Sequence, residues 1–170
     1  MKQQDPNNYW EQLERLEKLK SSSELKAGVV FSFHSVIIGI FIDNIGYFQS
    51  ILSESIFLII LVFLWILLVL ISIFYSFKCF MPRMELKFKK NVFFFRNAAN
   101  SFGNIDEYTE ELTKTYSDDE KLYKKLSQQI FIESKIIDQK FKSVQKSITY
   151  FVLSFMLLVL ILGLFLIIKL

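Results

Sequence analysis

The sequence predicts an all-α integral membrane protein: three transmembrane helices, a mostly helical cytoplasmic insert, and a long C-terminal helix that continues into the third span. Three observations carry this. Residues 56–77 and 148–168 form uncharged apolar blocks of 22 and 21 residues. At about 1.5 Å per residue, each is long enough for a hydrocarbon core of about 30 Å. Basic residues are distributed unevenly, with five Lys/Arg in residues 1–26, none in 43–55 and fourteen in 78–147. Finally, from Asp118 to the C-terminus there is no proline, and the only glycine is Gly163. Composition agrees: 52% of the 170 residues are hydrophobic, 19 are Phe, and Gly and Pro number only five and two, so the apolar content sits in long blocks rather than a soluble core.

The N-terminal segment, residues 1–26, reads as a cytoplasmic amphipathic helix. Asp5-Pro6 supplies an N-cap and a residue suited to the first turn. Trp10, Leu13, Leu16 and Leu19 then share a broad face, which predicts a helix from about Pro6 to Leu19. "SSSELKAG" leads into the first span, with Ser23 as a candidate cap for a helix that carries Lys26 at the membrane boundary. The five basic residues and the lack of an apolar run exclude a secretory signal peptide here.

The first span is assigned to residues 27–49. Its uncharged core, residues 27–42, has 16 residues and then meets Asp43-Asn44. It becomes long enough if Asp43 lies at the far interface and the helix continues towards Phe48. His34 lies inside it between Ser32 and Ser35, and faces either a neighbouring helix or a water path rather than lipid. Residues 50–55 form a short external loop, and residues 56–77 are the second span. The positive-inside rule places the N-terminus and the long segment 78–147 in the cytoplasm.

The insert opens with "MPRMELKFKKNVFFFRN". Met84, Leu86 and Phe88 alternate with Glu85, Lys87 and Lys89, which suits a short strand or an extended interfacial segment. "AANSFGN" reads as a turn-rich linker. Asn104 with Glu107 resembles a capping box, and "IDEYTEELTKTY" follows as a short helix. Asp118, Asp119 and Glu120 then place negative charge at the start of the last helix, where the macrodipole favours it. Leu126, Ile130, Ile137, Phe141, Val144 and Ile148 form a stripe running into the third span, residues 148–168. That stripe needs a partner surface, and three spans alone enclose little polar path. Both points predict a homo-oligomer.

The residues exclude several function classes. No phosphate-binding glycine loop, nucleophile elbow or metal-ligand cluster is present, so no enzyme and no cofactor is expected. A net charge of +3 gives no sign of nucleic-acid binding. One cysteine, Cys79, rules out an intrachain disulfide. It is either a packed thiol or a juxtamembrane acylation site. The basic cluster Lys78, Arg83, Lys87, Lys89, Lys90 and Arg96 lies beside the inner leaflet, where anionic lipid attracts such side chains at about 1 kcal/mol each. Lys87, Lys89 and Lys90 are spaced to lie along headgroups. Arg83, fixed by Pro82, differs from them. With Lys26, Arg96 and Lys140 it is a candidate donor to a phosphate, and Phe94 or Phe95 is a candidate stacking face for a base.

The order of these pieces resembles a known family. "ELKAGVVFSFHSVIIG" opens the first span, "MPR" follows the second, "NVFFFRNAANSFGNIDEYTEEL" lies in the insert, and "LSQQIFIESKIIDQKFKSVQKSITYF" leads into the third. Together, over residues 10–170, they resemble the transmembrane effectors of Pycsar antiphage systems (PycTM). The resemblance implies a multi-pass protein of the bacterial inner membrane that acts in abortive infection. It implies a partner cyclase that makes a cyclic pyrimidine mononucleotide on infection, and an effector that responds by impairing the membrane. The residues alone also admit a constitutive holin-like pore or an accessory membrane subunit without a ligand.

Overall fold

A computed structural model describes residues 5–46, 49, 55–81 and 90–169. It is 90% helical, with no strand among the described residues. The helices whose bounds lie in the described residues are α1 (Pro6–Asp43), α2 (Ile56–Phe80), α3 (Phe95–Asn100), α4 (Ile105–Tyr116) and α5 (Asp119–Lys169). α1, α2 and α5 are each long and apolar enough to cross a membrane, and the chain is an all-α membrane protein. Two compact units are present. One comprises Met1–Ser21 and Arg83–Asp138, the other Ser22–Pro82 and Gln139–Leu170.

The unit of residues 22–82 and 139–170 packs along three seams. On α2 the buried residues are Leu58, Val62, Trp65, Val69, Ser72, Ser76 and Cys79, which alternate in steps of four and three. Ser23, Ala27, Val30 and His34 on α1 repeat the same steps, as do Val144, Ser147, Ser154, Ile161 and Phe165 on α5 once the partly buried Phe151 and Leu158 are included. This is the spacing of left-handed helix packing. The larger apolar residues between the seams, such as Phe57, Phe63 and Met156, are exposed, as suits lipid contact. Lipid tails are as apolar as leucine, so a seam of small and polar residues holds better than oil alone. Ser72 and Ser147 each donate to the other's backbone carbonyl, at 2.8 and 2.9 Å, and the Ser76 and Ser147 hydroxyls lie 2.7 Å apart. Such bonds contribute about 0.6–2 kcal/mol each in membranes. Near them Tyr75 and Tyr150 stack, and Lys78 and Lys146 lie over the Tyr75 ring, an arrangement suited to a membrane–water interface.

Asp5 caps α1 through its carboxylate, which accepts from the Asn7 N–H at 2.9 Å. The expected break at "SSSELKAG" is absent. Ser21–Ser23 lie inside one helix, and Ser23 is buried rather than capping. Serine weakens a helix only slightly, and no proline or glycine lies between Pro6 and Gly28 to stop it. The Trp10–Leu19 face is also corrected, since Trp10 and Leu19 are exposed while Tyr9, Leu13 and Leu16 are the inward residues. At the far end, α1 stops at Asp43, and Ile45 and Gly46 are helical again.

In the unit of residues 1–21 and 83–138, Asn104 Oδ1 accepts from Glu107 N–H at 2.8 Å and caps α4. The Glu107 carboxylate reaches one residue further back than a capping box requires, to Gly103 N–H at 2.7 Å. Asp118 likewise caps α5 by accepting from Lys121 N–H. Two expectations change here. The first three residues of "AANSFGN", Ala98–Asn100, are the end of helix α3 and the remaining four are non-helical, and Lys90 does not lie free for headgroups. Its ammonium pairs with Glu107 at 2.5 Å and lies 3.9 Å from the centroid of Phe102. That contact, followed by the Gly103 N–H, holds the Glu107 carboxyl below its usual range. Along α5, Leu126, Ile137 and Val144 of the expected stripe are buried, together with Gln129, Ile136, Lys140, Ser143 and Ser147. Ile148, expected on the stripe, is 38% exposed. The period-two segment, residues 84–89, lies outside the described residues.

Candidate functional site

Asn91 organises the phenylalanine triplet. It is fully buried, its amide donates to the Lys125 carbonyl at 2.8 Å, and its Oδ1 accepts from Phe93 N–H at 3.0 Å. Lys125 Nζ also donates to the Lys90 carbonyl. This side-chain turn gives three consecutive rings different surroundings, with Phe94 and Phe95 still 5.5 Å apart. Phe94 enters a core with Ile132 and Ile136. Phe93 lies edge-on to Trp10 at 5.4 Å and to Tyr116 at 5.9 Å. Phe95 is 71% exposed.

Phe95 and Phe93 thereby wall a cleft of about 290 Å³, completed by Trp10, Leu13, Glu17 and Lys20 of α1 and by Gln129 and Glu133 of α5. Its size is just under the usual range of ligand pockets, about 300–1,000 Å³. Gln129 Nε2 donates to Glu133 Oε1 at 3.1 Å, and the buried Gln129 Oε1 has no partner among the described residues. Burial pushes the Glu133 carboxyl above its usual range; Lys20 opposes the rise and Glu17 adds to it. Among the described residues the cleft therefore combines aromatic walls, hydrogen-bond acceptors, and one cation against two carboxylates.

The residues singled out from the sequence fall in both units. Phe94, Phe95 and Arg96 share the unit that holds the cleft, where Phe94 is core, Phe95 lines the cleft and Arg96 is exposed. Lys26 and Lys140 belong to the other unit. Lys26 is exposed, 5.9 Å from the centroid of Phe141. Lys140 is 2% exposed and doubly engaged, donating to Glu24 Oε1 and to the Cys79 carbonyl, each at 2.7 Å. To meet a phosphate it would have to exchange Glu24. Arg83, Lys87 and Lys89 lie outside the described residues. His34 is buried against the edge of Phe151 at 5.0 Å, and its Nε2 has no partner among the described residues. Asp43 is exposed at the end of α1. Cys79 is fully buried and donates weakly to the Ser23 carbonyl at 3.7 Å, the packed alternative of the two open to it.

Gln129, Glu133, Trp10 and Glu17 escaped the sequence reading. A signal for two of them was present. Leu122, Leu126, Gln129 and Glu133 follow the four-three-four steps of a packed seam, so polar side chains at the last two positions interrupt a face that packing would otherwise fill with leucine.

A family model described as the Pycsar effector protein domain, PycTM, matches residues 8–167. No curated protein and no solved structure matches the chain.

Proposed function

The chain belongs to the PycTM family of Pycsar effector proteins, and we propose on that premise that it is a bacterial inner-membrane effector switched on by a cyclic pyrimidine mononucleotide. The family comprises cyclic-nucleotide-triggered antiphage effectors that work with a partner cyclase. It is a family of effectors rather than of known enzymes. In the reading proposed here, the N-terminus and the insert face the cytoplasm, the nucleotide base enters the cleft between Trp10, Phe93 and Phe95, and occupancy leads to loss of membrane integrity. Arg96, in the unit that holds the cleft, is a candidate donor to the phosphate, as is Arg83 from the sequence. The observation that carries the reading is a cleft of about 290 Å³, walled by aromatic rings, in a chain matched by the family model over nearly its whole length.

The test is titration of cyclic CMP, UMP, AMP and GMP against the full chain in nanodiscs, with dye release from proteoliposomes as the second readout. Wild type should bind a cyclic pyrimidine nucleotide and release dye only when it is present. Phe95→Ala should bind roughly 5- to 150-fold more weakly, since stacking on an aromatic ring contributes about 1–3 kcal/mol per base. Release without nucleotide would favour a holin-like pore. No release under any condition, with no binding, would leave an accessory subunit.

Assembly is part of the same reading. One subunit has three spans, too few to enclose a polar path, which favours a homo-oligomer in the membrane. Native mass measurement in nanodiscs should give more than one copy. Monomers alone, with and without nucleotide, would sink the expectation.

A further inference from the structure

The cleft carries more chemistry than a stacking platform needs. Gln129 is 7% exposed and lines the cleft floor. Its amide has one settled orientation, because Nε2 donates to Glu133 Oε1. The donor end is thus used internally and the acceptor end, Oε1, is left buried without a partner among the described residues. A buried acceptor without a donor is costly and rare in native structures. Its neighbours do not supply one: when ionised, Glu133 and Glu17 are acceptors only. Lys20 is the single cationic lining residue among the described residues, and an ammonium on a flexible stem does not define a base edge.

We infer that this floor reads the base through acceptors, and so selects a base edge carrying an exocyclic amino group: cytosine among the pyrimidines, with adenine sharing the chemistry. The inference rests on the cleft being the nucleotide site proposed above. Two adjacent acceptors, Gln129 Oε1 and the Glu133 carboxylate, match the two hydrogens of one NH₂ group. Uracil offers a single N3–H between two carbonyl oxygens, and those oxygens would face Gln129 Oε1 and the carboxylate. Acceptance from cytosine N4 by a carboxylate is also an established pairing in base recognition. A site whose buried polar group is satisfied by one ligand and left unpaired by its analogue discriminates strongly. The same two carboxylates repel a phosphate, which places the phosphate away from the floor and towards solvent-exposed cations.

The experiment compares cyclic CMP, cyclic UMP and cyclic AMP on the full chain in nanodiscs of neutral lipid. It uses wild type, Glu133→Gln and Gln129→Leu, with thermal unfolding to confirm that each variant is folded. Wild type should bind cyclic CMP at least about 10-fold more tightly than cyclic UMP. Glu133→Gln adds an amide able to donate and should bring that ratio towards one. Gln129→Leu should lower cyclic CMP affinity more than cyclic UMP affinity. Preference of cyclic AMP over cyclic CMP would keep the amino-edge inference and name the purine as its source. Nucleotide binding by wild type with no preference for the amino bases would overturn the inference and leave the effector reading standing. So would a wild-type preference that neither variant alters. Binding of no nucleotide at all would overturn the effector reading itself, and this inference with it.

Discussion

Replacing Glu24 by alanine should destabilise the membrane unit by about 3–5 kcal/mol, more than replacing its partner Lys140. The asymmetry comes from burial. Lys140 has 2% of its side chain exposed, whereas Glu24 has 37%. Glu24→Ala leaves a buried ammonium with the Cys79 carbonyl as its remaining bonded partner here. Lys140→Ala leaves a carboxylate that water already reaches, which discounts the cost. Removing both charges together, as Glu24→Gln with Lys140→Met, should be near neutral, because a buried ion pair replaced by well-packed groups often costs nothing. Reversible unfolding in mixed micelles is the measurement. Equal costs for the two single variants, or a double variant as unstable as Glu24→Ala, would show that the pair is not the buried contact described. The pair joins α1 to α5, and its second bond joins α5 to α2, so one ammonium ties three helices at one point.

The sequence made the spans legible because lipid imposes a length and forbids charge, two rules that short segments rarely satisfy by accident. Helix starts were legible where a side chain had to take up free N–H groups: Asp5, Asn104 and Asp118 all cap. What failed was the reading of serine. In "SSSELKAG" serine suggested a cap, yet Ser23 is buried within the packed helix. Ser72, Ser76 and Ser147 drew no attention inside apolar blocks, although they bind two spans together. A serine's role depends on whether another helix arrives opposite it, which one-dimensional pattern cannot show. In the Phe93–Phe95 triplet, Phe94 and Phe95 were equal candidates for a stacking face. A turn held by Asn91 gives the three rings different surroundings, so Phe93 and Phe95 wall the cleft and Phe94 is core. Gln129 and Glu133 were hidden because polar residues on a long charged helix are usually solvated. Their register with Leu122 and Leu126 was the overlooked clue, and Lys140 illustrates the same rule within the other unit.

Proline at Val144 should abolish toxicity while leaving the protein in the membrane. Val144 is 3% exposed and packs with Ala27 and Cys79, in the middle of α5, a helix with no other interruption signal than Gly163. Proline there removes the N–H that bonds the Lys140 carbonyl and forces its ring against that carbonyl, at a cost of about 3 kcal/mol or more. The apolar block at residues 148–168 is untouched, so insertion should survive, as membrane fractionation would register. The residue ahead of the break is also restrained, because proline disfavours a helical residue before it, and Ser143 is itself buried. Val144→Ala is the control. It trims the same packing without breaking the backbone ladder, and should keep most of the toxicity. Nucleotide affinity should persist in both variants, because every residue lining the cleft lies at or before Glu133. The expected pattern is therefore binding without killing for Val144→Pro, and binding with killing for Val144→Ala. Full toxicity for Val144→Pro at equal expression would mean that the ligand's effect does not travel along α5. Loss of nucleotide binding in Val144→Pro would mean instead that the kink reaches the cleft, and the helix would then be support for the site rather than the route out of it.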